Sequence, residues 1–163
     1  MRSTGEVMGI DEGFARAFLK AQLAAGVVLP TEGAVFISVK DADKPVIVDA
    51  AQRLDAMGFR IIATKGTAAH LAEHGIKSTV VSKVYQGRPN IVDTMKDGGV
   101  ALVFNTTDLP QSIADSASIR ATALTMRTPY YTTGAGALAA ARAIENKLEG
   151  VMEVATLQAY AAE

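Results

Sequence analysis

A three-layer α/β/α domain built on a five-stranded parallel sheet is the fold predicted by this sequence of 163 residues. Three observations lead there. Short apolar runs alternate with amphipathic stretches, and strands joined through helices within one sheet imply right-handed crossovers and parallel pairing. Small polar residues, Ser38, Thr64 and Asn105, follow three of the apolar runs, where the carboxyl ends of strands face a ligand crevice in a doubly wound fold. Glycine or proline marks most changes of pattern.

Taken in order, the chain opens with Gly5-Glu6-Val7-Met8-Gly9, a stretch too short for a core of its own and suited to a joint with something else. From Asp11, an expected N-cap, the run to Ala25 sets Phe14, Phe18, Leu19 and Leu23 at three- and four-residue spacing, as an amphipathic helix does. Gly26 ends it. Residues 34–39 form a continuous apolar run, the pattern of a strand covered on both faces. A helix opens at Pro45, whose missing N–H is harmless in a first turn, and turns Ile47, Ala51 and Leu54 inward before Gly58.

Phe59 to Ala63 reads as the second strand, Thr67 to Glu73 as a helix, and Ile76 to Lys83 as the third strand. A loop at Gln86-Gly87-Arg88-Pro89 precedes a short helix from Asn90 to Lys96. Val100 to Phe104 carries the clearest strand pattern. A helix follows over 111–126 with Ile113, Ile119 and Leu124 expected inside, then a short strand at 129–132 and an alanine-rich helix from Ala135 to Asn146. The tail from Val151 to Tyr160 is expected to end as a helix.

Composition narrows the function. A chain that is 49% hydrophobic and 20% charged has enough apolar material for one core, and burial of roughly two thirds of its unfolded surface is expected at this length. A net charge of -1 and a pI near 6.1 argue against a general nucleic-acid binder, so any anion site must be local. The absence of cysteine removes disulfides, thiolate catalysis and cysteine-type zinc sites. No stretch reaches the ~20 apolar residues of a membrane span, and a cytoplasmic location is expected.

Thr64-Lys65-Gly66-Thr67 is the pivotal stretch. A strand that turns through hydroxyls and a glycine into a helix presents unpaired N–H groups at the positive end of the macrodipole, a seat for phosphate. An ordinary threonine N-cap accounts for the same letters. The remaining chain favours the phosphate: Ser38 with Lys44, and Asn105-Thr106-Thr107, stand at two further strand ends, and Lys83 closes another. Two lysines with helix-terminal amides match the roughly two negative charges of a phosphate monoester. Asn105 adds an amide able to tell a donor from an acceptor on a ring or sugar.

Other motifs carry less. His70 and His74 share a helix face, but Leu71 stands where a zinc-protease glutamate would be, and no third ligand is evident, so no metal site is expected. Gly134-x-Gly136-x-x-Ala139 has dinucleotide-turn spacing, yet too little chain follows to build the half-sheet that would hold a dinucleotide. Ser112, Ser116 and Ser118 lack histidine and acid partners in any motif. No catalytic residue is expected.

Together, Gly5-Glu6-Val7-Met8-Gly9, Thr64-Lys65-Gly66-Thr67, Lys83-Val84-Tyr85-Gln86-Gly87-Arg88-Pro89 and Asn105-Thr106-Thr107 resemble the C-terminal region of the carbamoyl-phosphate synthetase large subunit. The resemblance covers nearly the whole chain. It implies a methylglyoxal-synthase-like fold over 10–163, with 1–9 a remnant of the preceding synthetase domain or linker. It also implies an allosteric role: binding nucleotide monophosphate effectors, UMP as inhibitor and IMP as activator, and so governing carbamoyl phosphate synthesis for pyrimidines and arginine. The implied phosphate contacts are Lys44, Thr64, Gly66, Thr67 and Lys83, with Ser38, Asn105, Thr106, Thr107 and Asp115 around ribose and base.

Tyr130 and Thr132 match positions that face the synthetase half near an ornithine site in some members, whereas Tyr131 replaces the aspartate expected between them. Lys65 is an extra cation that bears on which anion is preferred. Implied partners are the rest of the large subunit and, through it, the glutaminase small subunit, with a homo-oligomer of the isolated piece as a further state of its apolar surface. ATP, Mg and K are expected for the whole enzyme and no cofactor for this part. Methylglyoxal synthase, acting on dihydroxyacetone phosphate, is the enzymatic alternative; Gly87-Arg88-Pro89-Asn90 lacks the Gly-Asp base of that family. A free-standing nucleotide sensor is the third reading, and the opening stretch argues for attachment instead.

Overall fold

The computed structural model describes residues 5–82, 84, 87–107, 110–150, 152 and 154–160, with the side chains of 110–115 outside the description. Five strands, β1 (Ala34–Ser38), β2 (Arg60–Ala63), β3 (Thr79–Val80), β4 (Leu102–Asn105) and β5 (Tyr130–Tyr131), form one sheet in the order β3-β2-β1-β4-β5. All four pairings are parallel. The helices are α1 (Phe14–Ala24), α2 (Lys44–Ala56), α3 (Lys65–Glu73), α4 (Ile91–Lys96), α5 (Pro110–Met126), α6 (Gly134–Glu149) and α7 (Leu157–Tyr160), with a 3₁₀ turn at Asp41–Asp43. The three-layer expectation holds. Among the described residues no helix is long and apolar enough to cross a membrane.

Alternation along the strands divides the core. Val35, Ile37, Ile61, Ala63, Leu102 and Phe104 face α2, α3 and α6, with α1 laid over α6. Ala34, Phe36, Ile62 and Val103 face Ile91 and Met95 of α4 and Ile119 and Ala123 of α5. Phe36 and Phe104, one on each face, are wholly buried, and each contributes roughly 1.5–3 kcal/mol relative to exposure. Alanines 137, 140, 141 and 143 are fully buried, and such small side chains let α6 lie close to its neighbours. Arg53 on α2 reaches Asp49 at 2.8 Å and Glu145 on α6 at 2.5 Å, bridging those helices.

Several expectations are revised. Leu124 is 75% exposed, because the inner face of α5 runs through Ser116, Ile119 and Ala123 at three- and four-residue steps and Leu124 falls one residue past it. Phe14 is 68% exposed, and α1 begins there rather than at Asp11. Asp11 instead pairs with Lys20 at 2.7 Å. β3 spans two residues, Thr79 and Val80, exposed at the sheet edge and paired with Ile62 and Ala63. Ile113, also expected inside, has its side chain outside the described residues.

Strands β1, β2 and β3 progress toward one edge, and the chain then crosses to β4 and β5 on the other side of β1. The winding reverses between β1 and β4. A ligand crevice is expected at the carboxyl ends of the strands at such a reversal.

Candidate functional site

Sheet register builds the floor of the site. Phe36 pairs with Ile62 and Val103, and two residues on Ser38 pairs with Asn105 and stands beside Thr64. Because side chains repeat every second residue, Ser38, Thr64 and Asn105 continue the apolar row of Ile62, Phe36 and Val103 on one face of the sheet. The row turns polar where the strands end. Over it opens a cavity of about 290 Å³, near the small end of the usual range for small-molecule sites. Its lining includes Lys40, Asp41, Lys44, Gly66, Thr67, Thr106 and Thr107 on the polar side and Phe36, Val84, Ile91 and Ile119 on the apolar side.

Helix α3 points its N-terminus at the polar side. The amides of Lys65, Gly66 and Thr67 precede the first intrahelical bond, from Ala68 N–H to Thr64 C=O at 2.8 Å, and no side chain caps them. Thr64, the N-cap residue, turns its hydroxyl away to within 3.3 Å of Ser38 Oγ and 3.4 Å of Thr67 Oγ1. Thr67 Oγ1 accepts from Val39 N–H at 3.3 Å, and Thr106 Oγ1 accepts from Lys40 N–H at 3.1 Å. The hydroxyls therefore knit three strand ends together and leave the helix amides for an anion.

Lys44 opens α2, where the macrodipole disfavours a cation. Asp41 compensates at 2.8 Å and is 93% exposed, and hydrogen bonding to Lys44 holds its carboxyl below the usual range. A bound anion would share this lysine.

Asn105 is 4% exposed and donates from Nδ2 to Ser116 Oγ at 2.6 Å and to the Tyr130 hydroxyl at 2.8 Å. Those two hydroxyls are 3.1 Å apart. Tyr130 is thus bonded to a residue of the cavity wall, while Thr132 is exposed and outside the lining. Of the remaining site expectations, Lys83 and the side chain of Asp115 lie outside the described residues, and Lys65 is exposed and outside the lining. His70 Nδ1 lies 3.4 Å from Glu73, and His74 Nδ1 contacts the His70 carbonyl at 3.0 Å. With Glu73 these histidines bring three donor atoms within 4.8 Å, a third group that the residue spacing alone did not reveal.

A family model described as the MGS-like domain matches residues 46–132, which run from within α2 through β5 and hold most of the cavity wall. The chain belongs to the MGS-like domain family. Over 160 residues, 98% of this chain, it is 54% identical to a carbamoyl phosphate synthase large chain of Myxococcus xanthus, and covers 15% of that protein. It is 52% identical over 146 residues, 89% of this chain, to the "Carbamoyl phosphate synthase large chain, C-terminal section" of Methanopyrus kandleri, covering 27% of it. This MGS-like domain therefore spans a seventh to a quarter of the length of these relatives. The crystal structure of a methylglyoxal synthase from Elizabethkingia anophelis shares the fold, with a TM-score of 0.53 and 17% identity over 83% of this chain and 93% of the other.

Ser116 was not legible as a site residue, and Tyr130 was named only for an ornithine-side interface, not for its bond to Asn105. Ser116 left one trace: a polar residue at an inner-face position three before Ile119, which requires a buried partner. The loop expected at Gly87-Arg88-Pro89 is organised by Asn90, which accepts from Val92 N–H and donates to the Gly87 carbonyl, so presenting Ile91 to the MGS-like domain's cavity.

Proposed function

We propose that this MGS-like domain is the allosteric domain of a carbamoyl phosphate synthase large chain and that its cavity binds a nucleoside monophosphate. The observation that carries the reading is the meeting, in one cavity, of the uncapped α3 N-terminus, Lys44 and a row of hydroxyl and amide side chains with an apolar wall. The phosphate would sit against Lys44, Gly66, Thr67 and Lys83, and the ribose and ring would extend toward Asn105, Phe36 and Ile119. UMP as inhibitor and IMP as activator are the effectors proposed. They would control ATP-driven synthesis of carbamoyl phosphate from bicarbonate and glutamine-derived ammonia in the remaining large chain, with its small subunit. An effector regulates by binding two states of the whole enzyme unequally.

Titration calorimetry tests the site. UMP or IMP is expected to bind, and Lys44→Ala or Lys83→Ala to weaken binding by about 1–3 kcal/mol through loss of a charge-assisted hydrogen bond. Equal, negligible heats with UMP, IMP and inorganic phosphate would sink the reading. Among the described residues the carboxylate lining the cavity is that of Asp41, which is paired with Lys44 and faces solvent, an unsuitable general base, so dihydroxyacetone phosphate is expected to yield no methylglyoxal.

A further inference from the structure

Hydrogen bonds among Asn105 and Ser116 of the cavity wall and Tyr130 outside it set the direction of one recognition group. With Nδ2 turned inward, Asn105 donates to both hydroxyls, and a proton remains for the 3.1 Å contact between Ser116 and Tyr130. With the amide reversed, both hydroxyls would have to donate to Oδ1, leaving two oxygens facing each other without a proton between them. The first arrangement satisfies every contact. Among the described residues no hydrogen bond engages Oδ1, and Asn105 lines the cavity together with Phe36 and Ile119.

We infer that Ser116 and Tyr130 are positioning residues that hold Asn105 as an acceptor toward the cavity, so that the site selects mononucleotides whose ring carries an N–H. This rests on the nucleotide-binding reading above. Uracil and hypoxanthine offer a ring N–H flanked by a carbonyl; cytosine and adenine offer a bare ring nitrogen at the corresponding place. A fixed acceptor opposite a bare nitrogen leaves two lone pairs in contact, and a mismatch of this kind discriminates more strongly than shape. The preference for an oxo base then comes from the direction imposed on the amide by Tyr130, which is outside the lining, and by Ser116, which lines the cavity with Asn105.

The test measures affinities of UMP, IMP, CMP, AMP and ribose 5-phosphate for the unaltered chain, for Tyr130→Phe and for the Ser116→Ala/Tyr130→Phe double variant. Melting temperature and circular dichroism serve as controls for folding. UMP and IMP are expected to bind about tenfold or more tighter than CMP and AMP. In Tyr130→Phe, and further in the double variant, the UMP/CMP ratio falls toward one, while ribose 5-phosphate, which lacks a ring to read, binds Tyr130→Phe as it binds the unaltered chain. Equal binding of all four nucleotides by the unaltered chain overturns the inference and leaves the site standing. So does an equal loss for every ligand, ribose 5-phosphate included, since that is a structural effect. Failure of all five ligands to bind overturns the nucleotide site itself.

Discussion

Gly66 separates what folding asks of a residue from what a ligand asks. It lies in the first turn of α3, its φ is not positive, and a Cβ placed there would meet no atom within 4 Å. Nothing in the fold requires glycine. Helical Cβ atoms tilt toward the N-terminus, so a methyl at 66 would enter the space in front of the free amides. Gly66→Ala is therefore expected to stabilise the domain by up to about 1 kcal/mol, through the better helix propensity of alanine. It should at the same time weaken UMP affinity about tenfold, roughly 1.4 kcal/mol. Thermal unfolding and calorimetry on one variant check both signs.

Thr64 and Thr67 were legible because a strand-turn-helix pattern is local, whereas the bonds of Ser116 and Tyr130 to Asn105 were not, because they join residues 11 or 25 positions apart. The two tyrosines of β5 show the same limit. Tyr130 joins the face covered by α4 and α5, while Tyr131 packs 6.0 Å from Phe104 on the other face and donates to Gln22 at 2.9 Å. Burial pushes the Tyr131 phenol far above its ordinary value, so it stays protonated across the accessible pH range.

Elements meet at two polar knots. Asn90 caps α4 through a reciprocal capping box, accepting from Val92 N–H at 3.0 Å while its own N–H donates to Asp93 at 3.0 Å. It is 5% exposed. Asn90→Ala removes the cap and the bond to Gly87, and a loss of about 1–2 kcal/mol in denaturant unfolding is expected. The helix was legible here because its start signal and its inward residues are contiguous. The second knot was not, for it joins opposite ends of the chain.

In that second knot Lys20 on α1 binds Asp11 at 2.7 Å, the Ile10 carbonyl at 3.2 Å and the Tyr160 hydroxyl of α7 at 3.1 Å. Gly9 permits the approach, since a Cβ there would fall 1.9 Å from the Ala17 carbonyl oxygen. Hydrogen bonding to Asp11 raises the Lys20 pKa, and the same bond lowers that of Asp11. The depressed carboxylate contributes stability above its unfolded pKa, which is lost as pH falls through the lower folded value. The raised ammonium contributes below its unfolded pKa, and that is lost as pH rises through the higher folded value. Lys20→Met should accordingly make residues 154–160 cleavable by limited proteolysis at neutral pH, where the unaltered chain resists. Acidification through the depressed range of Asp11, below that of an ordinary aspartate, should produce the same cleavage in the unaltered chain, read with an acid-active protease.

For the whole molecule, the placement of the cavity couples ligand binding to folding. Its walls come from the ends of β1, β2 and β4, from α3 and from the inner residues of α4 and α5, so unfolding any layer dismantles it. A ligand held by this cavity binds the folded state and not the unfolded chain. At a free concentration one hundred times its dissociation constant it adds about 2.7 kcal/mol. For a domain of this size each kcal/mol moves the midpoint by about 2–4 °C, so a rise of about 5–11 °C is expected with saturating UMP or IMP. The shift must grow with the logarithm of ligand concentration, and it should shrink in Lys44→Ala in proportion to the lost affinity. A midpoint unmoved at millimolar UMP, IMP and phosphate would mean that the convergence of three strand ends serves packing alone. A shift of the same size in Lys44→Ala would place the ligand elsewhere on the molecule.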